Sequence, residues 1–191
     1  MRPLAIDIET FSDVDIRKSG MYKYAESPFF EIILFAYSYD GGPEQVIDLL
    51  SGEVVPGHIL LALTNPNVLK TAHNAPFEMA CISTQFGLQL DPAQWECTMA
   101  RVAQLGLPLS LDAAAKALDL SAEKDKTGKA LIKYFCEPCK PTKTNGQRTR
   151  NYPHHDPEKW AAFIEYNRQD VVVEQAIRAA TDFFEFPASE K

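Results

Sequence analysis

The alternation of apolar and polar positions opens on a strand, Leu4-Ala5-Ile6-Asp7-Ile8-Glu9-Thr10. Side chains two apart on a strand leave by the same face, so Asp7 and Glu9 share one side while Ile6 and Ile8 enter the other. A polar stretch follows to about Gly20. Phe29 to Tyr39 is a long aromatic and β-branched run stopped by Asp40-Gly41-Gly42, and Gln45 to Leu49 returns as the second arm of a hairpin. Pro56 to Leu63 reads as a short helix, Val68 to Ala72 as a buried strand, and Phe77 to Phe86 as a helix closed by Gly87. From Thr98 onward the pattern is helical: Met99 to Leu105 closed by Gly106, Ala113 to Leu118 opened by Ser110-Leu111-Asp112, then Lys129 to Phe135. Helical periodicity vanishes between Glu137 and Arg150. Asp156-Pro157, an N-cap residue followed by proline at the first helical position, starts a last helix predicted to run to about Phe184.

Composition adds little to that pattern. With 191 residues, 46% of them hydrophobic and 24% charged, one domain with a good-sized core is expected. A net charge of −7 argues against a broad basic surface for holding nucleic acid, but not against an enzyme that meets phosphates through bound metal. The one local basic patch is the loop carrying Lys140, Lys143, Arg148 and Arg150 against the single acid Glu137. The N-terminus runs straight into a strand, with no signal-peptide pattern, and no membrane-length apolar run occurs. A soluble, cytoplasmic chain is expected. Cys81, Cys97, Cys136 and Cys139, irregularly spaced, are expected to be reduced thiols.

Three places carry candidate chemistry. Asp7 and Glu9 repel one another, and each has its pKa raised unless a cation sits between them. The plainer reading is an edge strand blunted by two acids. Tyr166 and Asp170, four apart, lie on one helix face in line with Phe163, Val173 and Ile177, so that face is either solvated or aimed at something that needs charge. His73-Asn74-Ala75-Pro76-Phe77-Glu78 spans a strand-to-helix turn and puts Glu78 in the first turn, where the helix dipole alone would favour it. Cys136 and Cys139 with His154 and His155 suggest zinc only weakly, because the spacing is loose and adjacent histidines rarely share an ion. His58 reads as a surface residue, and His73 as one standing behind a site.

Taken in order, Asp7-x-Glu9, Asn74-x-x-Phe77-Glu78 and Tyr166-x-x-x-Asp170 resemble the DEDD superfamily of 3′-to-5′ exonucleases, in its tyrosine subgroup. Glu165, five before Asp170, excludes the histidine subgroup. Lys124-Asp125-Lys126-Thr127-Gly128, the loop from Lys140 to Arg150 and Asp156-Pro157-Glu158-Lys159-Trp160 are further similar to the proofreading exonuclease domain of phage-type family A DNA polymerases. The resemblance implies an α/β, ribonuclease-H-like fold, a mixed five-stranded sheet flanked by helices. It implies catalytic roles for Asp7, Glu9, Glu78, Tyr166 and Asp170, the four acids holding two divalent ions, Mg²⁺ or Mn²⁺, with Asp7 shared between them. Tyr166, whose phenol titrates near pH ~10, would orient the attacking water rather than abstract its proton unaided. Glu78 departs from the family's usual aspartate.

The resemblance also implies that Thr10, Asn74 and Phe77 grip and stack the terminal nucleotide. Their plainer roles are a strand-end residue, a helix cap and a core phenylalanine. Lys140, Lys143, Arg148 and Arg150 are expected to meet phosphates from a loop that is mobile without DNA. The implied activity is removal of 5′-mononucleotides from the 3′ end of single-stranded DNA, as in proofreading. An RNase D-like exoribonuclease and a catalytically silent DNA-binding or structural domain are the competing readings, the second weakened by the presence of all four acids and Tyr166. Phe183-Phe184-Glu185-Phe186-Pro187 is an apolar patch that implies a neighbour. Residues 1–191 are therefore expected to be one exonuclease domain of a longer DNA polymerase, with the polymerase module in the same parent chain as its partner.

Overall fold

Leu4, Ala5, Ile6 and Ile8 are all buried, so the first strand has no face to offer solvent and belongs in the middle of a sheet. A computed structural model of the chain describes residues 2–120 and 128–183. Lys124 to Thr127 of the basic motif, and Phe184 to Pro187 of the terminal patch, lie outside the described residues.

In chain order the elements are β1 (Arg2–Phe11), α1 (Ile16–Ala25), β2 (Glu31–Tyr39), β3 (Gln45–Asp48), α2 (Gly57–Thr64) and β4 (Val68–Ala72). They continue with α3 (Ala75–Phe86), β5 (Trp95–Cys97), α4 (Thr98–Gln104), α5 (Leu111–Ala117), α6 (Gly128–Phe135) and α7 (Pro157–Ala180). The five strands form one sheet in the order β3-β2-β1-β4-β5. β1 pairs antiparallel with β2 and parallel with β4, so the sheet is mixed, as expected for the α/β fold. The β2–β3 hairpin turns at Asp40 and Gly41, both at positive φ (55° and 74°).

β1 separates two cores. On one face Leu4, Ile6 and Ile8 pack with Ile59 and Leu63 of α2 and Ile82 of α3. The other face carries Ala5, Asp7, Glu9 and Phe11, and α7 lies over it. Ala5 and Ala36 leave room there for Val171 to sit directly on the sheet. Beside that contact, Trp160 and Phe163 of α7 and Leu131 and Phe135 of α6 close an aromatic cluster around Phe11.

Three elements depart from the pattern reading. α1 occupies part of the stretch read as polar and irregular. It is started by Asp15, whose side chain accepts from the Arg17 amide (3.0 Å), and broken at Gly20 (φ 78°); only Tyr24 and Ala25 are buried, so periodicity leaves no trace. β5 is three residues long, and its pairing to β4 rather than its composition makes it a strand. α7 stops at Ala180, four residues short of the expected end, because the Thr181 hydroxyl turns back onto the Ile177 carbonyl (2.8 Å).

Phe35, fully buried in β2 and edge-on to Phe86 (ring centroids 6.3 Å apart), is a test of the first core. Phe35→Ala is expected to cost about 3–5 kcal/mol in urea unfolding. A loss under about 1 kcal/mol would contradict this packing.

Candidate active site

The acids meet where β1 leaves regular pairing. A β-bulge shifts the β1–β2 register between Glu9 and Thr10, the kind of irregularity that re-aims side chains beside functional sites. α7 brings the third acid. Asp156 caps it by accepting from the Lys159 amide (3.1 Å), and the helix then runs 24 residues across the sheet. One oxygen each from Asp7, Glu9 and Asp170 lie within 4.8 Å of one another. Glu78, buried in the first turn of α3, stands outside that group of three, yet Asp7's charge reaches it.

The surroundings oppose ionisation. Burial pushes Asp7 up to about 7, with Glu174's charge adding to the shift and an Asn167 hydrogen bond opposing it. Burial and then the Asp7 charge raise Asp170 to about 8, opposed by a hydrogen bond from Tyr166. Glu9 is held well above the carboxylate range by burial and by the charges of Asp7 and Asp170. Glu78 is raised likewise, by burial and then by Asp7. Two buried polar residues that the sequence reading missed stand behind these acids. Asn167 donates to Asp7 Oδ2 (2.6 Å), and Glu174 accepts from the Thr71 hydroxyl (3.2 Å) and is raised by burial to about 7.

Glu78 Oε2, Asn167 Oδ1 and Glu174 Oε1 are buried without a hydrogen-bond partner. Clustered carboxylate oxygens, with unmet acceptor capacity beside them, are the hard donor set that suits Mg²⁺ or Mn²⁺. Tyr166 stacks on Phe163 (6.1 Å, 14° between planes), and its hydroxyl is hydrogen-bonded to Asp170. Burial first, then the Asp170 and Glu9 charges, raise its pKa far above neutrality, so the phenol stays protonated.

A cavity of about 460 Å³ opens beside Glu9, walled by Thr10, Tyr24, Phe77, Ile132 and Cys136. Thr10 Oγ1 and the Tyr24 hydroxyl are 2.8 Å apart, and Tyr24 also packs on Phe77 (6.1 Å). The Cys136 thiol donates to Glu9 Oε2 across 3.6 Å. Asn74 adopts positive φ (107°), uncommon for any residue with a side chain, and its carbonyl accepts from the Phe77 amide (2.8 Å) at the start of α3. His73 donates through Nε2 to the Leu109 carbonyl (2.8 Å).

The basic loop is folded on itself: the Cys139 amide donates to the Thr149 carbonyl (2.7 Å), the Gln147 amide to the Thr142 carbonyl (2.9 Å), and Asn145 Nδ2 to the Lys140 carbonyl (2.9 Å). Its four cations differ in their surroundings. Arg150 pairs with Glu31 and lies over the Phe11 ring at 3.7 Å, and Arg148 is tied to Asn151 (2.8 Å) and the Asn145 carbonyl (3.1 Å). Lys140 and Lys143 are exposed. Cys136 and Cys139, paired in the zinc reading, serve different partners, Glu9 and the Arg148 carbonyl.

The raised acids fix a pH dependence. Unfolded, these groups release their protons near 3.8 for aspartate and 4.5 for glutamate; folded and metal-free, Asp7 and Glu174 hold theirs to about 7 and Asp170 to about 8. The folded state therefore binds more protons between about pH 4 and pH 8, and stability falls as pH rises through that window. In EDTA the Tm is expected to decline as pH rises through this range, and Asp170→Asn is expected to flatten the decline. A Tm that climbs with pH would contradict the buried-charge account.

No protein-family model matches the chain. A DNA polymerase of Bacillus phage SP02 is 58% identical to it over 185 residues, which is 97% of this chain. The chain spans only 28% of that relative's length. Among solved structures, Escherichia coli RNase D, described as an exoribonuclease involved in structured RNA processing, aligns with a TM-score of 0.57 at 17% identity, over 95% of this chain and 40% of its own. NrnC of Brucella melitensis aligns at a TM-score of 0.50 and 16% identity, over 95% of this chain and 72% of its own. Among the described residues no helix is long and apolar enough to cross a membrane. The chain is thus similar over nearly its whole length to part of a phage DNA polymerase, and it shares the ribonuclease-H-like fold of RNase D.

Proposed function

We propose that the chain is a metal-dependent 3′-to-5′ exonuclease acting on single-stranded DNA ends, and that it is one proofreading domain of a longer DNA polymerase. The observation that carries this reading is the cluster of Asp7, Glu9 and Asp170, with the Tyr166 hydroxyl bonded to Asp170 and with Glu9 also lining a cavity of about 460 Å³. DNA rather than RNA is favoured by the polymerase relative, and a longer parent chain by how little of that relative is matched. Phe183, 78% exposed beyond α7, supports a neighbouring module.

Asp7, Glu9 and Asp170, with Glu78 beside them, would hold two divalent ions, Mg²⁺ or Mn²⁺. When bound, the ions supply positive charge to the scissile phosphate, its attacking water and its leaving oxygen. The protein's own residues do the rest. Tyr166 stays protonated and fixed through Asp170, so it can orient the water but not deprotonate it. Phe77 and Tyr24 offer ring faces to the terminal base, and Thr10 a hydroxyl to its sugar edge. Asn74 holds the turn from which Phe77 and Glu78 project. Lys140 and Lys143 are free to meet phosphates further along the strand.

A 5′-labelled single-stranded DNA is expected to shorten from its 3′ end with Mg²⁺ or Mn²⁺ and to stay intact in EDTA, a matched RNA being cut more slowly. Asp7→Ala and Asp170→Ala are each expected to lower kcat by orders of magnitude, and Tyr166→Phe by about 10²-fold. Normal turnover in either aspartate variant would sink the assignment. Faster cutting of the RNA would favour the RNase D-like reading.

Replacing Lys140 and Lys143 together by alanine is expected to raise KM and make the log KM against log salt plot shallower by about 1.4, at about 0.7 per phosphate contact on a single strand. An unchanged slope would mean that the loop does not reach the strand.

A further inference from the structure

α6 touches the site at three points, each four residues apart. Gly128, Ile132 and Cys136 form one stripe, and the Cys136 amide bond to the Ile132 carbonyl (2.8 Å) carries the helical repeat to its end. At the first point there is no space for a side chain: a Cβ on Gly128 would fall 2.3, 2.8 and 2.9 Å from three ring carbons of Tyr166. At the second, Ile132 walls the cavity. At the third, the Cys136 thiol donates to Glu9. Gly128 needs no unusual backbone angle here, so what demands glycine is the approach of the Tyr166 ring.

The same face of α6 is anchored on α7. Phe135 stacks on Phe163 (5.5 Å, 16°) and meets Trp160 edge-on (4.8 Å, 73°), and Phe163 in turn stacks on Tyr166. Tyr166 is therefore bounded by Phe163 and by the backbone at Gly128, while its hydroxyl rests on Asp170.

We propose that α6 is a positioning helix for the reaction: Gly128 fixes the Tyr166 ring, Cys136 orients the Glu9 carboxylate, and Ile132 between them forms the wall against the terminal nucleotide. Gly128 and Cys136 are not catalytic residues: they act through Tyr166 and Glu9, so the inference rests on the exonuclease reading and deepens it.

The test is a double-substitution cycle on single-stranded DNA with Mg²⁺, using Gly128→Ala, Tyr166→Ala and both together, with exposed Lys129→Ala as the control. Gly128→Ala is expected to lower kcat by about 10²-fold with KM within about twofold, because orientation is lost and binding is not. In the Tyr166→Ala background the added methyl has no ring to displace, so the double variant is expected to match Tyr166→Ala within about twofold. If Gly128→Ala folds only when Tyr166 is also alanine, recovery of Tm in the double variant carries the same conclusion. Wild-type kcat in Gly128→Ala beside an impaired Tyr166→Ala would overturn the inference, as would losses that multiply. Normal turnover in Tyr166→Ala would overturn the role given to Tyr166 in the exonuclease reading, and this inference with it. Cys136→Ser, which keeps a donor, is expected to retain more activity than Cys136→Ala. Equal loss in the two would overturn the Cys136 contact.

Discussion

Mutual repulsion among buried carboxylates is the constraint to which the rest of this structure answers. Asp7, Glu9 and Asp170 stand within 4.8 Å of one another, and the charges of Asp7 and Glu174 both act on Glu78. In water such a group would spread apart or stay solvated. Here β1 lies in the middle of the sheet, the bulge after Glu9 redirects the strand, and Ala5 and Ala36 let α7 settle close enough to add Asp170. The folding energy that holds the acids together comes from apolar packing elsewhere: Leu4, Ile6 and Ile8 on the far face, Phe163 and Val171 on the near one. Protons or cations relieve the repulsion, so the metal-free chain is less stable at neutral pH than its packing alone would make it. A stability cost concentrated at one point of an otherwise well-packed molecule is the usual mark of a site kept for chemistry.

How much of this was legible in the sequence depended on whether each element obeyed a period. Asp7 and Glu9 were visible because a strand's two-residue repeat separates them from Ile6 and Ile8. Tyr166 and Asp170 were visible because a helix's four-residue spacing aligns them. α1 and β5 were not, the first being nearly all exposed and kinked at Gly20, the second only three residues long. Tyr24 went with α1. Asn167 and Glu174 carried a signal that was passed over: they occupy the same buried stripe as Trp160, Phe163 and Val171, where a polar residue needs a partner. Arg148 and Arg150 show what counting charge leaves out: it cannot see that a guanidinium lies 3.7 Å from the Phe11 ring.

The net charge of −7 is consistent with this economy of cations. A chain that held nucleic acid by its general field would need a broad basic surface, whereas the recognition proposed above, centred on a carboxylate cluster, a ring-lined cavity and two exposed lysines, would be local. Local recognition makes the site depend on exact side-chain placement rather than on long-range attraction.

That dependence joins the core to the chemistry. Trp160 is tied by its indole N–H to Asp48 at the end of β3 (2.8 Å), Phe135 packs on Trp160, Phe163 on Phe135, and Tyr166 on Phe163. Aromatic packing therefore runs unbroken from the sheet edge to the hydroxyl that rests on Asp170. A void opened anywhere along it is felt first as loss of hydrophobic contact, but its last member is a group whose orientation matters more than its burial. Under the proposed role of Tyr166, changes at Phe135 or Phe163 would bear on turnover as well as on stability, through the same contacts that hold α6 and α7 together.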